Sequence, residues 1–291
     1  MRYSKSVAGH TLQGFFALFF LAAFMAVAQA AETGLLWKLE APGGKTSYLY
    51  GTMHSDDPRV TDFPAPVIKA LLDSDVFMME TLPPANPSIF LMEDGRLDQL
   101  LSEQEFVQVV KLADFHSMHT DIAALMKPWL LAVIFDLPKP QTPYTQDALL
   151  MSLAQGKSKP VRGLETTEEH FGALDSFTIE EQLVMLRSVL KRSAGEKERN
   201  FEAMVKAYLS ADPENIEKLN DRITGSILPR ELWGRMRSKL LDERNILMAD
   251  RIARQADQAG IFIAVGASHL PGKGGLIARL RSAGYKVTPV N

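Results

Sequence analysis

The sequence contains no cysteine, which excludes several ways of stabilising or using a protein. Disulfide bridges, thiol catalysis and lipid attachment at a cysteine after a signal peptide all need that side chain. The folded chain must therefore be held together by packing, hydrogen bonds and ion pairs. An apolar content of 46% and a charged content of 23% are ordinary for a globular protein with a sizeable core.

Two further features are scarce, and each excludes a class of partner. Lys and Arg number 32 against 35 Asp and Glu, so the formal net charge is −3. Domains that bind nucleic acid carry a basic patch or stripe, and we therefore expect no nucleic-acid partner. Beyond the first thirty residues no apolar run approaches the roughly 20 residues that cross a bilayer, so we expect no membrane span there.

The first thirty residues have the three parts of a secretory signal. Arg2 and Lys5 precede an apolar core from Phe15 to Val27, and Ala28-Gln29-Ala30 has small residues at the two positions that signal peptidase reads. A core of this length is short for a membrane anchor of roughly 20 residues. We therefore predict cleavage after Ala30 and a mature protein of residues 31–291 in the periplasm or the extracellular medium.

Strand and helix patterns alternate at both ends of the predicted mature chain. The segments 35–40 and 47–51 flank a Gly-Gly turn, which is typical of a β-hairpin. A helical pattern at 64–75 leads into a short apolar strand at 76–79, and 261–266 is the clearest buried strand. A final helix at 275–282 and an edge strand at 285–290 follow. Strand–helix–strand order is typical of a parallel sheet.

The middle of the sequence, about 86–240, has mainly helical patterns. Capping boxes begin at Ser102 and Thr178, and one further short strand is predicted at 159–164. A long helix is predicted from Arg230 to Ala259, ending before Gly260. We interpret residues 31–291 as one α/β domain, whose mixed sheet is formed by both ends of the chain and whose middle is a large helical insertion.

Two segments share a pattern that can carry chemistry. A buried strand is followed by Gly-x-x-His at Gly51 to His54 and again at Gly266 to His269. Glycine permits a sharp turn or a close backbone approach at the end of a strand. Each histidine then lies just beyond the carboxyl end of its strand, where open α/β sheets bind ligands.

Two carboxylates occupy equivalent positions. Glu80 directly follows the strand at 76–79, and Glu165 follows the short strand that ends at Leu164. If these strands are parallel in one sheet, both glutamates meet the two histidines at one edge. Arg244 lies inside the predicted long helix, where it either faces solvent or orients a carboxylate or a substrate oxyanion.

Two imidazoles and a carboxylate around an open position are the ligand set of many hydrolytic metal sites. The sequence has no H-E-x-x-H pair, which excludes the common helical zinc protease site. The other histidines have no strand before them. We expect His116 and His119 on a solvated face, and His170 outside the site as well, so that alanine at any of the three leaves metal content and activity near wild type.

An ordered set of short motifs points to a known family. They are Leu49-Tyr50-Gly51-Thr52-Met53-His54, Glu80, Lys127-Pro128-Trp129, Gly163-Leu164-Glu165-Thr166, Arg244-Asn245, Gly266-Ala267-Ser268-His269-Leu270-Pro271-Gly272 and Gly284-Tyr285-Lys286-Val287. With this set the sequence resembles the TraB/GumN family, which is related to the Tiki proteins. The resemblance extends over about Leu35 to Val290.

The resemblance implies a divalent metal ion, with manganese or cobalt favoured and zinc possible, because Tiki-type members are described as metal-dependent proteases. It implies His54, Glu80 and His269 as the metal ligands. More distant relatives include erythromycin esterases and a haem-binding lipoprotein.

Three functions therefore stand as hypotheses. The first is an exported metal-dependent hydrolase of peptides, or of small esters or amides, in which Glu165 or a water acts as base and Arg244 stabilises negative charge. The second is an esterase-type hydrolase that works without metal. The third is a periplasmic binding protein for a peptide, metal or haem. Glu80 favours the first, since a binding protein has no need of a buried carboxylate beside two histidines.

The predicted cleavage can be measured directly. Mass spectrometry of the exported protein should give Ala31 as the first residue. Retention of Phe15 to Val27 in a protein that extracts only with detergent would contradict the prediction.

Overall fold

The computed structural model describes residues 33–41 and 44–290. Six strands within these residues form one sheet in the order β4-β3-β5-β2-β1-β6. The strands are β1 (Leu36–Glu40), β2 (Thr46–Thr52), β3 (Val76–Met79), β4 (Val161–Gly163), β5 (Ile261–Gly266) and β6 (Lys286–Pro289). The expected hairpin is present, since β1 pairs with β2 in antiparallel fashion.

Four neighbouring strands run parallel, and this arrangement positions the site. Strand β5 pairs in parallel with β2 on one side and with β3 on the other, and β3 pairs in parallel with β4. The carboxyl ends of β2, β5, β3 and β4 therefore meet at the same sheet edge. On the far side β1 pairs antiparallel with both β2 and β6, so the sheet is mixed as expected.

Strand β5 is buried on both faces. Its side chains alternate between two hydrophobic clusters: Ile261, Ile263 and Val265 belong to one, Phe262 and Ala264 to the other. Residues 261–265 are all fully buried, which explains the continuous apolar run in the sequence.

The α-helices follow in chain order. They are α1 (Pro58–Thr61), α2 (Ala65–Asp73), α3 (Leu97–Leu100), α4 (Glu103–Phe115), α5 (Thr120–Leu125), α6 (Pro128–Asp136), α7 (Gln146–Gly156), α8 (Thr167–Asp175), α9 (Ile179–Leu190), α10 (Ala194–Leu209), α11 (Pro213–Gly225), α12 (Arg230–Arg237), α13 (Arg244–Ala256) and α14 (Leu276–Ser282). Helices α13 and α14 contribute to the cluster on one face of the sheet, and α2 and α7 to the cluster on the other.

Helices α3 to α12 form the helical region between β3 and β5, with β4 inside it. Much of this region has its own hydrophobic cluster, in which Trp129 and Phe135 of α6 pack with Leu186 of α9. Both predicted capping boxes are present, at the starts of α4 and α9. The Ser or Thr side chain accepts a hydrogen bond from the amide three residues on, which satisfies a helix-end donor.

The long helix expected from Arg230 to Ala259 is not uniform. A π-helical stretch at Ser238–Glu243 separates α12 from α13, and α13 ends at Ala256. A π turn holds more residues than an α turn and therefore changes which residues face the core. After it, Arg244 and Asn245 are buried while Ile246 is 56% exposed, the reverse of the usual preference.

The predicted signal, Arg2 through Ala30, lies outside the described residues, so its cleavage stays a prediction. Within 33–41 and 44–290, no helix combines the length and the apolar character that a membrane crossing requires.

Candidate functional site

The parallel strands bring the predicted side chains to one edge of the sheet. His54 lies two residues after β2, Glu80 directly after β3, and Glu165 two residues after β4. His269 ends a single 3₁₀ turn that follows β5. A cavity of about 570 Å³ opens above this edge and is lined by His54, Glu80 and His269.

Gly266 marks the point at which three of these side chains meet. A Cβ atom added there would lie 3.2 Å from Glu80 Oε1, 3.7 Å from His269 Cδ2 and 3.8 Å from His54 Nε2. The absence of a side chain at Gly266 therefore leaves a small space that all three groups face. The Gly266 amide also donates to Glu80 Oε1 at 2.6 Å, which fixes the carboxylate against the end of β5.

His269 is held so that Nε2 is available. Its Nδ1 is 2.6 Å from Asn245 Oδ1, and the Asn245 amide nitrogen donates to the Gly274 carbonyl at 3.1 Å. Because the Asn245 oxygen only accepts, Nδ1 of His269 must donate. Burial lowers the pKa of His269 to about 4, so the neutral ring presents the Nε2 lone pair 3.6 Å from Glu80 Oε1.

His54 is held in the same way by a residue that the sequence did not single out. Its Nδ1 donates to Asp147 Oδ2 at 2.7 Å, and Asp147 Oδ1 accepts from Thr52 Oγ1 at 2.7 Å. The Asp147 carboxylate raises the pKa of His54 to about 9. With Nδ1 occupied, Nε2 is the nitrogen that faces Gly266 and the cavity.

No sequence signal identifies Asp147. It lies in the first turn of α7, where an acidic residue is ordinary, and 93 positions separate it from His54. Only the packing of α7 against the end of β2 brings the two together.

Arg244 joins the two glutamates. Its Nη2 donates to Glu80 Oε2 and to Glu165 Oε2, each at 2.7 Å, and its Nε lies 2.9 Å from Glu165 Oε1. The Glu165 amide also donates to the Glu80 carbonyl at 2.8 Å. Of the two roles considered for Arg244, orienting a carboxylate is therefore the one that these contacts support.

Burial by itself would raise the pKa of both carboxyls. For Glu80 the positive charges of Arg244 and His54 outweigh burial and hold the pKa well below its usual value. For Glu165 the hydrogen bonds from His170 and Arg244 outweigh burial and lower the pKa. Both glutamates are therefore carboxylates at neutral pH.

The expectation that His170 lies outside the site is wrong. Its Nδ1 is 2.9 Å from Arg244 Nη2, 3.3 Å from Glu165 Oε2 and 3.7 Å from Glu80 Oε2. Helix α8 begins with a capping box at Thr166, three residues after β4 ends, so the start of this helix lies close to the strand end. That local turn, rather than a strand of its own, brings His170 to the edge.

The other two histidines lie elsewhere. His119 is the exposed N-cap residue of α5. His116 is not on a fully solvated face as expected: it is half-buried, packs against Phe115 and Phe135, and burial lowers its pKa.

Among the described residues, one group of side chains has ligand atoms close enough together to hold a cation. Ligand atoms of Glu80, Glu165 and His170 lie within 4.8 Å of one another, but the Arg244 guanidinium already donates to both carboxylates. A metal ion there would have to compete with a buried positive charge. Glu80 Oε1 and His54 Nε2 also face the space at Gly266, but a pKa of about 9 makes His54 an imidazolium at neutral pH, so an ion there would have to displace its proton.

The geometry argues against Glu165 as a general base. Its side chain has no exposed area, both oxygens accept from Arg244, and it does not line the main cavity. Glu80, His170 and Arg244 do line that cavity.

The sequence model of the TraB/PrgY/gumN family matches residues 35–289. The chain belongs to this family. A relative, the uncharacterized protein YbaP of Shigella flexneri, is 25% identical over 247 residues, which cover 82% of this chain and 89% of the relative. The TraB/PrgY/gumN match includes all six strands and every side chain of the sheet edge described above.

The ion pair between Glu165 and Arg244 of this TraB/PrgY/gumN protein can be tested by measuring the free energy of unfolding. Glu165→Gln should lower the free energy of unfolding by about 3 kcal/mol, because it removes one partner of a buried ion pair. The neighbouring Glu168 is exposed and has no ion pair among the described residues, so Glu168→Gln should stay within about 0.5 kcal/mol of wild type. Urea unfolding measures both, and equal stability of the two variants would contradict a buried network.

Proposed function

We propose that this protein is an exported, divalent-metal-dependent hydrolase that acts on peptide bonds. The observation that carries the proposal is that His54 and His269 are both oriented by a hydrogen bond from Nδ1. Each Nδ1 donates to an oxygen acceptor. His54 Nε2 borders the space at Gly266 that Glu80 Oε1 also faces, and His269 Nε2 lies 3.6 Å from the same Glu80 oxygen. Metal-binding histidines typically donate their second ring nitrogen to a carboxylate or carbonyl oxygen in this way.

The donor set fits a cation once His54 gives up the proton that its pKa of about 9 places on the ring at neutral pH. Neutral His269 has a lone pair on Nε2, and it faces an oxygen of Glu80 at 3.6 Å with no proton of its own between them. Two electron-pair donors that face each other repel unless a positive charge lies between them. Imidazole and carboxylate ligands without thiolate suit manganese, cobalt or zinc. The family resemblance favours manganese or cobalt.

A divalent cation held by His54, Glu80 and His269 would supply Lewis acidity, which polarises a carbonyl group and lowers the pKa of water. The chain itself supplies the orientation of these ligands. Asp147 and Asn245 fix the two rings, and the Gly266 amide and Arg244 fix the Glu80 carboxylate.

His170 is the residue that we propose for proton transfer. It lines the cavity, whereas Glu165 does not, and Arg244 keeps its proton at any ordinary pH. Its imidazole lies beside the Glu80 carboxylate, within reach of the same part of the cavity. Arg244 acts as the residue that positions the two glutamates.

An extracytoplasmic location is part of the proposal. It is supported by the charged, apolar and small-residue segments from Arg2 to Ala30 and by the lack of cysteine, which leaves no thiol to oxidise.

The proposal is tested with Glu80→Gln. We expect the purified protein to hydrolyse a mixed peptide library in the presence of Mn²⁺, and chelation to abolish that activity. Glu80→Gln keeps the volume of the side chain but removes the charge that binds a cation, so activity should fall by at least about 100-fold. Glu168→Gln is the matched control and should retain activity. Hydrolysis that survives both chelation and Glu80→Gln would exclude the metal-dependent mechanism.

The space at Gly266 gives a test that does not depend on activity. A methyl group in Gly266→Ala would lie where a ligand-bound ion has to fit, so Mn²⁺ affinity measured by calorimetry should fall at least about tenfold. Gly234→Ala is the control, because an added Cβ at this exposed position in α12 meets nothing within 4 Å. Unchanged Mn²⁺ affinity in Gly266→Ala would place the ion elsewhere.

A further inference from the structure

A second cavity meets the main cavity at His54. It has a volume of about 310 Å³, and the two share His54, Leu137 and Phe201 as a common wall. The two cavities therefore adjoin at His54, beside the space at Gly266.

The wall of the second cavity is tied to the loop that carries His54. The loop after α6 lines this cavity with Pro138, Pro140 and Thr142. Asp56 lies two residues beyond His54, and its Oδ2 accepts from the amides of Gln141 and Thr142, each at 2.6 Å. The second cavity is thus fixed relative to the candidate site.

The main cavity is largely apolar above its polar floor. Helices of the insertion supply its walls, among them Trp129, Val133, Phe171, Phe201 and Trp233. Val133 is 48% exposed and Leu137 is 40% exposed, so an apolar surface continues to the mouth of the cavity. Burial of an apolar side chain there would be favourable in proportion to the area removed from water.

The charged side chains on these walls already have partners. Asp136 accepts from Arg192 at 2.6 Å and 2.8 Å, and Arg237 donates to Glu217. Among the described residues, the walls of the main cavity beyond the sheet edge therefore offer no charge without an ion-pair partner. A charged chain end buried against them would have no counter-charge, which is costly.

We propose that the substrate is an internal peptide bond in an apolar segment, with residues on its two sides in the two cavities. This inference rests on the proposed hydrolase function and specifies its substrate. The oxygen of water bonds to the carbonyl carbon, and the carbon–nitrogen bond breaks. One water proton passes to the departing nitrogen, which leaves as an amine, and the new acid ionises to a carboxylate. No group other than water is consumed.

The first test uses peptides of one apolar sequence with free ends and with acetylated and amidated ends, incubated with Mn²⁺ and analysed by mass spectrometry. Both forms should be cut at the same internal bond with similar kcat/KM. Lysine in place of the apolar residue on the main-cavity side of that bond should lower kcat/KM by at least about 100-fold, because the walls of the main cavity cannot pair its charge. Cleavage only next to a free end would overturn the inference and leave the hydrolase proposal standing. No hydrolysis of any peptide would overturn both.

The second test introduces a charge into each cavity. Val133→Glu should raise kcat/KM about tenfold for substrates with lysine on one side of the cleaved bond. Thr142→Lys should raise kcat/KM about tenfold for substrates with glutamate on the other side. Val107→Glu and Gln141→Lys are the controls: Val107 is 45% exposed against 48% for Val133, and neither control residue lines either of these two cavities. The two-sided arrangement would be overturned if both substitutions changed the preference on the same side of the cleaved bond. It would also be overturned if both variants were active and their substrate preferences were those of the wild type.

Discussion

The buried ion pairs of Arg244 are the interaction on which the candidate site depends. Parallel strands bring Glu80 and Glu165 to adjacent positions, with the amide of one bonded to the carbonyl of the other. Two carboxylates that are removed from water at such close range repel each other and lose hydration. One guanidinium that donates to both makes their burial tolerable. Because removal of Arg244 would leave two buried carboxylates without their counter-charge, the three residues act as a unit.

Glu80 links this unit to the open space at Gly266. One of its oxygens accepts from Arg244, and the other accepts from the Gly266 amide and faces His269. Arg244 and the Gly266 amide therefore fix the carboxylate, while its Oε1 remains directed toward the two imidazoles. The same principle governs the histidines, whose Nδ1 atoms are taken by Asp147 and Asn245. A ligand would meet side chains that are already oriented, so little entropy is lost on binding.

The sheet and the helical insertion contribute different parts. The strand ends supply His54, Glu80 and His269, whereas helices supply the residues that position them, Asp147 from α7 and Arg244 from the start of α13. The insertion also supplies the apolar walls of the main cavity.

The sequence by itself determined the strands, the helical middle and the strand-end histidines and glutamates, since apolar runs and Gly-x-x-His are local patterns. It also indicated that Glu80 needs a partner, because a carboxylate directly after a buried strand cannot remain unpaired. Only the tertiary structure decided which residues complete the site. Asp147 is 93 positions from His54, and His170 reaches the edge through the turn that begins α8. Arg244 is buried because a π-helical stretch precedes it, and no residue pattern in the sequence predicts that stretch. Such contacts depend on how distant elements pack, and packing is decided by the whole core rather than by any one segment.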